Sequence, residues 1–191
     1  MLVLASSSPR RGMLLKEAGF SFVRIQADVS EELSQVVTPE AAVKELALRK
    51  AQAGLKRWLL EGGSREDVIL GADTIVVLDE WILGKPKDEK EAEDMLTALS
   101  GRAHEVYTGV ALVNGTGRQE CGAVRTLVFF RQLTAQDILE YIATGECLDK
   151  AGAYGIQGQG ARLVEKYEGS LSNVIGLPME YVKERLKCGG W

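Results

Sequence analysis

Short apolar runs alternate with helical stripes along the chain, and that rhythm predicts strands interleaved with helices. Met1 to Ala5 is a strand-length apolar run. Pro9 with Met13, Leu14, Leu15 and Ala18 has helical spacing, and Gly19 is a stop. Ser21 to Gln26 predicts a second short strand. Thr38-Pro39-Glu40 opens a long helix whose buried face carries Val43, Leu46, Ala47, Ala51 and Gly54. Val68 to Leu78 is the most hydrophobic stretch and predicts a central strand, apolar on both faces. Trp81 to Leu83 returns as a hairpin arm, and Asp88 with Glu91 is a capping pair for a helix from Glu89 to Leu99. His104 to Val113 and Val124 to Phe130 predict two strands, with a turn signal at Asn114-Gly115. Thr134 caps a helix to Ala143. A last strand is expected from Ala161 to Val164 and a terminal helix from Met179 to Lys187.

Several positions break this pattern and carry the chemistry. Ser6-Ser7-Ser8 interrupts the first run, with Ser8 at the N-cap position and Pro9, Arg10 and Arg11 in the first helical turn. A helix start attracts anions, whereas arginine is out of place in a first turn. The turn reads either as a phosphate site or as a solvated helix start whose arginines pair with carboxylates. Lys50 lies on the buried stripe of the long helix, so its ammonium either snorkels outward or points at an anion. Asp73 sits alone in the central apolar strand, where a carboxylate is costly unless paired, hydrogen-bonded or bound to a cation. It reads as a metal or base site, and Gly71 before it suggests a close backbone approach. Lys85 is fixed between Gly84 and Pro86. Asp28 to Glu32 is an acidic loop that, alone, reads as solvated surface. Asp149 to Gly158 is rich in glycine, either a flexible loop or backbone packed against a ligand; Tyr154 and Ile156 favour order.

Composition narrows the class. The 191 residues, 46% hydrophobic and 26% charged, suit a soluble globular chain with one large domain, or one domain and a small lobe. A net charge of −4 argues against a nucleic-acid polymer as partner, so any phosphate must meet a local basic pocket. No apolar run reaches membrane-spanning length and the start lacks a signal-peptide pattern. Three scattered cysteines fit a reducing compartment, and one histidine excludes a histidine-rich metal centre.

Taken in order, Ser6-Ser7-Ser8-Pro9-Arg10-Arg11, Gly71-Ala72-Asp73-Thr74, Gly84-Lys85-Pro86 with Asp88, Ser100-Gly101 with His104 and Thr108-Gly109, Asp149 to Gly158, and Gly176-Leu177-Pro178 resemble the motifs of the Maf family of nucleoside triphosphate pyrophosphatases, end to end. The resemblance implies a single Maf-type domain over residues 1–191. Its expected fold is mixed α/β, similar to the inosine triphosphatase type, with a twisted sheet, flanking helices and a cleft between two lobes. It implies a cytoplasmic house-cleaning enzyme, often a homodimer, that cleaves a nucleoside triphosphate to monophosphate and pyrophosphate with Mg2+, Mn2+ or Co2+. Asp73 is then the catalytic carboxylate, Arg10, Thr74 and Gln157 are specificity positions, and Ser8, Arg11, Glu31, Lys50 and Lys85 lie near the substrate. Glu32 is adjacent and could replace Glu31.

This agrees with the chemistry of the residues. A triphosphate needs the cationic donors Arg10, Arg11, Lys50 and Lys85, and its cation needs hard oxygens, which Asp73 and Glu31 supply. Asp73 serves as base, metal ligand or both. Arg10 after Pro9, Thr74 after Asp73 and Gln157 in Gly155-Ile156-Gln157-Gly158 resemble the branch preferring dTTP and UTP, over the branch preferring 7-methyl-GTP. A nucleotide-sensing regulator of septum formation is the competing class; intact carboxylates and lysines argue against an inactive protein.

Overall fold

The computed structural model describes residues 1–27, 29–30, 38–188 and 190–191. Glu31, Glu32 and most of the acidic loop therefore lie outside the described residues. Strands β1 (Leu2–Ala5), β2 (Phe22–Ile25), β3 (Val68–Leu78), β4 (Trp81–Leu83), β5 (Ala103–Val113), β6 (Gln119–Phe130) and β7 (Val164–Glu168) form one mixed sheet. Its order is β2-β1-β3-β5-β6-β7, with β4 also on β3. β1 is parallel to both β2 and β3; β4 on β3 and β7 on β6 are antiparallel. The helices are α1 (Pro9–Glu17), α2 (Pro39–Leu60), α3 (Glu89–Leu99), α4 (Ala135–Ile142), α5 (Leu171–Ile175) and α6 (Met179–Cys188). None of the described helices is long and apolar enough to cross a membrane.

Three of the predicted caps form. Thr38 Oγ1 accepts from Ala41 N, and Asp88 Oδ1 accepts from Glu91 N at 2.8 Å. Thr134 and Asp137 close a reciprocal capping box. The last strand is displaced: Gly158–Leu163 winds as a 3₁₀ helix, and β7 follows it. The β7 sequence, Val-Glu-Lys-Tyr-Glu, is an exposed charged edge without apolar alternation, so periodicity does not reveal it.

The chain divides into two compact units. The first holds Met1–Asp73, Thr108–Val124 and Gly176–Trp191; the second holds Thr74–Tyr107 and Arg125–Ile175. In the first, Val3, Ala5, Ile25, Ala47, Ala51, Ile69, Ala111 and Val113 form a core under α2. Glycines let α2 lie directly on backbone. A Cβ on Gly71 would stand 2.4 Å from Ala47 O, and one on Gly109 would stand 2.0 Å from Val43 O. The close approach expected at Gly71 is thus a helix–strand contact. In the second unit, α3, α4 and β6 pack Leu96, Leu99, Phe130, Ile138 and Tyr141 into a separate core.

Candidate active site

β1 ends at Ala5, opposite Gly71 of β3, two residues before Asp73. The serine turn thus opens at the carboxyl end of a parallel strand and runs into a helix, a common place for ligands in α/β sheets. Ser6 organises the turn. Its Oγ accepts from Ser8 N at 3.2 Å and from Arg11 Nη1 at 3.1 Å. Arg11 Nε donates to Gly176 O at 2.8 Å, so this buried arginine braces the turn against the Gly176-Leu177-Pro178 motif. Ser8 occupies the N-cap position before Pro9, yet its hydroxyl makes no capping bond. Arg10 is half-buried in the same first turn.

Arg24, which carries no motif, completes this neighbourhood. It extends from β2, and its Nη2 donates to Ser6 O at 3.2 Å and Ser7 O at 2.8 Å. Ser6, Ser7, Arg24, Ile25 and Gln26 line a recess of about 380 Å3 beside the turn. Pairing of β1 with β2 brings Arg24 here, since its register partner is Leu4. The only sequence signal is a basic residue in a short strand.

Asp73 is buried and paired. Lys50 Nζ donates to its Oδ1 at 2.5 Å, with the two side chains 14% and 8% exposed. An isolated carboxylate is the natural reading of the strand sequence; the structure corrects it, because α2 delivers an ammonium across the Gly71 contact. Of the two options for Lys50, the ammonium takes the inward one. Among the described residues no group of three or more His, Cys, Asp or Glu side chains could hold a metal ion.

Strand alternation sends Thr74 away from this pair. Ile69, Gly71 and Asp73 face α2, whereas Thr74 shares its face with Val76, against which Gly152 packs. Gly152 N donates to Gly84 O at 3.0 Å, which ties the Lys85 segment to the glycine-rich segment that carries Gln157. Lys85 and Gln157 are both exposed. The candidate residues therefore fall in two groups. Ser8, Arg10, Arg11, Lys50 and Asp73 belong to the first unit, and Thr74, Lys85 and Gln157 to the second.

The glycine-rich segment is ordered from below. Gly155 N donates to Tyr141 Oη at 3.2 Å, and His104 Nε2 and Tyr154 Oη share a hydrogen bond at 2.7 Å. Burial pushes the His104 imidazole down to about 4. Because the folded value lies below the ordinary 6.5, the unfolded chain binds the extra proton between the two values. Stability due to His104 is complete above about pH 6.5, falls as pH drops towards 4, and loses about 3 kcal/mol in all. Chemical denaturation at pH 7 and pH 4 should therefore show a steeper acid loss for the native chain than for His104→Gln. Equal slopes would contradict a buried neutral imidazole.

A family model described as Maf-like protein matches residues 1–188. The dTTP/UTP pyrophosphatase of Desulfitobacterium hafniense (strain Y51) is 76% identical over 190 residues, covering 100% of this chain and 86% of that protein. The proteins of the same name from Shewanella denitrificans and from Geobacillus sp. (strain WCH70) are 51% and 46% identical, covering 93% and 100% of this chain and 90% and 98% of theirs. Among solved structures, a Ham1 protein from Coxiella burnetii superposes with a TM-score of 0.55 at 16% identity, over 97% of this chain and 98% of that one. The Staphylococcus aureus Ham1 protein gives 0.53 at 13% identity, over 98% of each chain. Likeness at that identity speaks for the fold, which is the mixed α/β type that the motifs imply.

Proposed function

The chain belongs to the Maf family, and on that premise we propose that it is a nucleoside triphosphate pyrophosphatase that hydrolyses dTTP and UTP to monophosphate and pyrophosphate. The observation that carries this reading is the full-length match, at 76% identity, to a protein with that name. The geometry is suited to the reaction: a buried carboxylate with an ammonium beside it lies within a strand whose neighbour leads into an arginine-bearing helix start.

In the hydrolysis, a water oxygen bonds to phosphorus and the α–β anhydride P–O bond breaks. Asp73 is the base that takes the water proton, and Arg10 and Lys85 offset the phosphate charge. Lys50 orients the Asp73 carboxylate through their hydrogen bond. A magnesium-type cation fits this chemistry, since such ions are held by one or two carboxylates together with substrate phosphates, and Asp73 would be its carboxylate among the described residues. When bound, it supplies charge neutralisation at the phosphates. Gln157 presents an amide donor and a carbonyl acceptor, complementary to the N3–H and O4 of uracil or thymine. Thr74 and Arg10 complete the specificity set. The physiological targets we propose are non-standard 5-substituted uridine triphosphates, met as free nucleotides in the cytoplasm.

A side-by-side panel of dTTP, UTP, CTP, GTP and 7-methyl-GTP at equal concentration, scored by pyrophosphate release, tests the reading. dTTP and UTP should lead by about a hundredfold, because a wrong base leaves buried polar groups unpaired. Excess chelator should abolish release. A preference for 7-methyl-GTP overturns the base assignment, and undiminished release in chelator overturns the cation requirement.

A further inference from the structure

The segment 149–160 rests on a polar floor buried in the second unit. His104 is 1% exposed and Tyr154 5%, and their hydrogen bond at 2.7 Å runs under the segment. The rings of His104, Phe130 and Tyr154 meet edge to face, with centroids 4.7–5.3 Å apart. Tyr141 Oη takes the next backbone amide, that of Gly155. His104 Nδ1 has no partner among the described residues. A pair of apolar side chains would fill this volume without orphaning an atom, so bulk packing does not account for the choice of histidine and tyrosine.

The backbone above the floor is held in an unusual shape. Gly152 and Ala153 both lie in the left-handed region, with φ of 68° and 61°. Glycine adopts this freely, but a buried alanine does so only where its surroundings enforce it, and such residues gather at ligand sites. Ala153 directly precedes Tyr154. The amides of the left-handed pair donate to Gly84 O and Lys150 O, the Tyr154 hydroxyl anchors the chain directly after it, and Gln157 follows three residues later.

We propose that the His104–Tyr154 hydrogen bond, supported by Tyr141, sets the position of Gln157, making His104 and Tyr154 positioning residues for nucleobase selection. The inference rests on the reading of Gln157 as a base-selecting residue. Neither anchor touches the substrate. Each acts by fixing the backbone from which the Gln157 amide is presented.

The test compares kcat and KM for UTP and CTP in the native chain, Tyr154→Phe, Gln157→Ala and the double variant. Tyr154→Phe removes one oxygen atom and keeps the ring packing. It should lower the UTP-over-CTP ratio of kcat/KM about tenfold, mainly through KM for UTP. Gln157→Ala should lower the same ratio, and the double variant should lose no more than Gln157→Ala alone, because both changes remove one function. Tyr141→Phe, which takes away the acceptor of Gly155 N, should move the ratio in the same direction, and it carries the test if Tyr154→Phe does not fold. A ratio that falls in Gln157→Ala but stays native in Tyr154→Phe and Tyr141→Phe overturns the positioning role alone. A ratio unchanged in Gln157→Ala overturns the base-selecting reading and this inference with it. Additive losses in the double variant also overturn it, since they mean that Tyr154 acts independently of Gln157.

Discussion

Asp73→Asn is expected to lose two or more orders of magnitude in turnover while remaining folded. The amide keeps the shape of the carboxylate and can still accept from Lys50, but it can neither take a proton from water nor offer an anionic oxygen to a cation. Loss of a general base alone commonly costs a hundredfold to ten-thousandfold. The strand sequence suggests that neutralising a lone buried charge should not harm stability. The pair with Lys50 reverses that expectation: the substitution leaves an ammonium, 14% exposed, facing a neutral amide. Such a change should destabilise by about 1–3 kcal/mol. Pyrophosphate release and urea unfolding together check both parts. Near-native turnover would remove Asp73 from the chemistry, and unchanged stability would mean that the ion pair contributes nothing to the fold.

Gly71→Ala should be at least as damaging by a different route. The new methyl carbon would lie 2.4 Å from Ala47 O and 2.6 Å from Ala51 N, distances that no packed carbon sustains. Both obstacles are backbone atoms of α2, so no side chain can swing clear. The helix must lift from β3 at a cost of about 3 kcal/mol or more. Lys50 lies between Ala47 and Ala51 on that helix, so turnover should fall with stability. Gly12→Ala is the contrast, because its added carbon meets the Phe22 ring at 3.5 Å and Arg24 Cδ at 3.9 Å, both ordinary contacts. In the interior of α1, alanine should be neutral or stabilising by up to about 1 kcal/mol. A thermal melt of the two variants decides the matter, and equal melting temperatures would refute close packing at Gly71.

These two residues also show what the sequence reveals and where it stops. A carboxylate inside an apolar run and a glycine two positions earlier are visible because each violates the local pattern of its strand. The caps at Thr38, Asp88 and Thr134 are visible because their chemistry is local. The pairing of Asp73 with Lys50 is a different matter, since 23 residues separate them and only tertiary packing decides which way a lysine on a buried stripe points. Arg24 is illegible for the same reason, its place at the serine turn being fixed by strand register. Arg11 illustrates a subtler limit. Its motif marks it as a substrate contact, yet Ser6 and Gly176 hold two of its donor atoms, and that bracing carries no local sequence signal. The left-handed backbone at Ala153 is hidden too, because alanine, unlike glycine or asparagine, gives no sign of it.

One peptide bond separates Asp73 from Thr74, and the strand turns them to opposite faces. Different parts of the chain meet them: α2 meets Asp73, and the segment that follows α4 packs on Val76, which shares the face of Thr74. Substitutions on the face of Thr74 can therefore be made without touching the contact between Asp73 and Lys50. The same separation lets protein engineers vary the exposed positions beside Gln157 while the Asp73–Lys50 pair stays as it is.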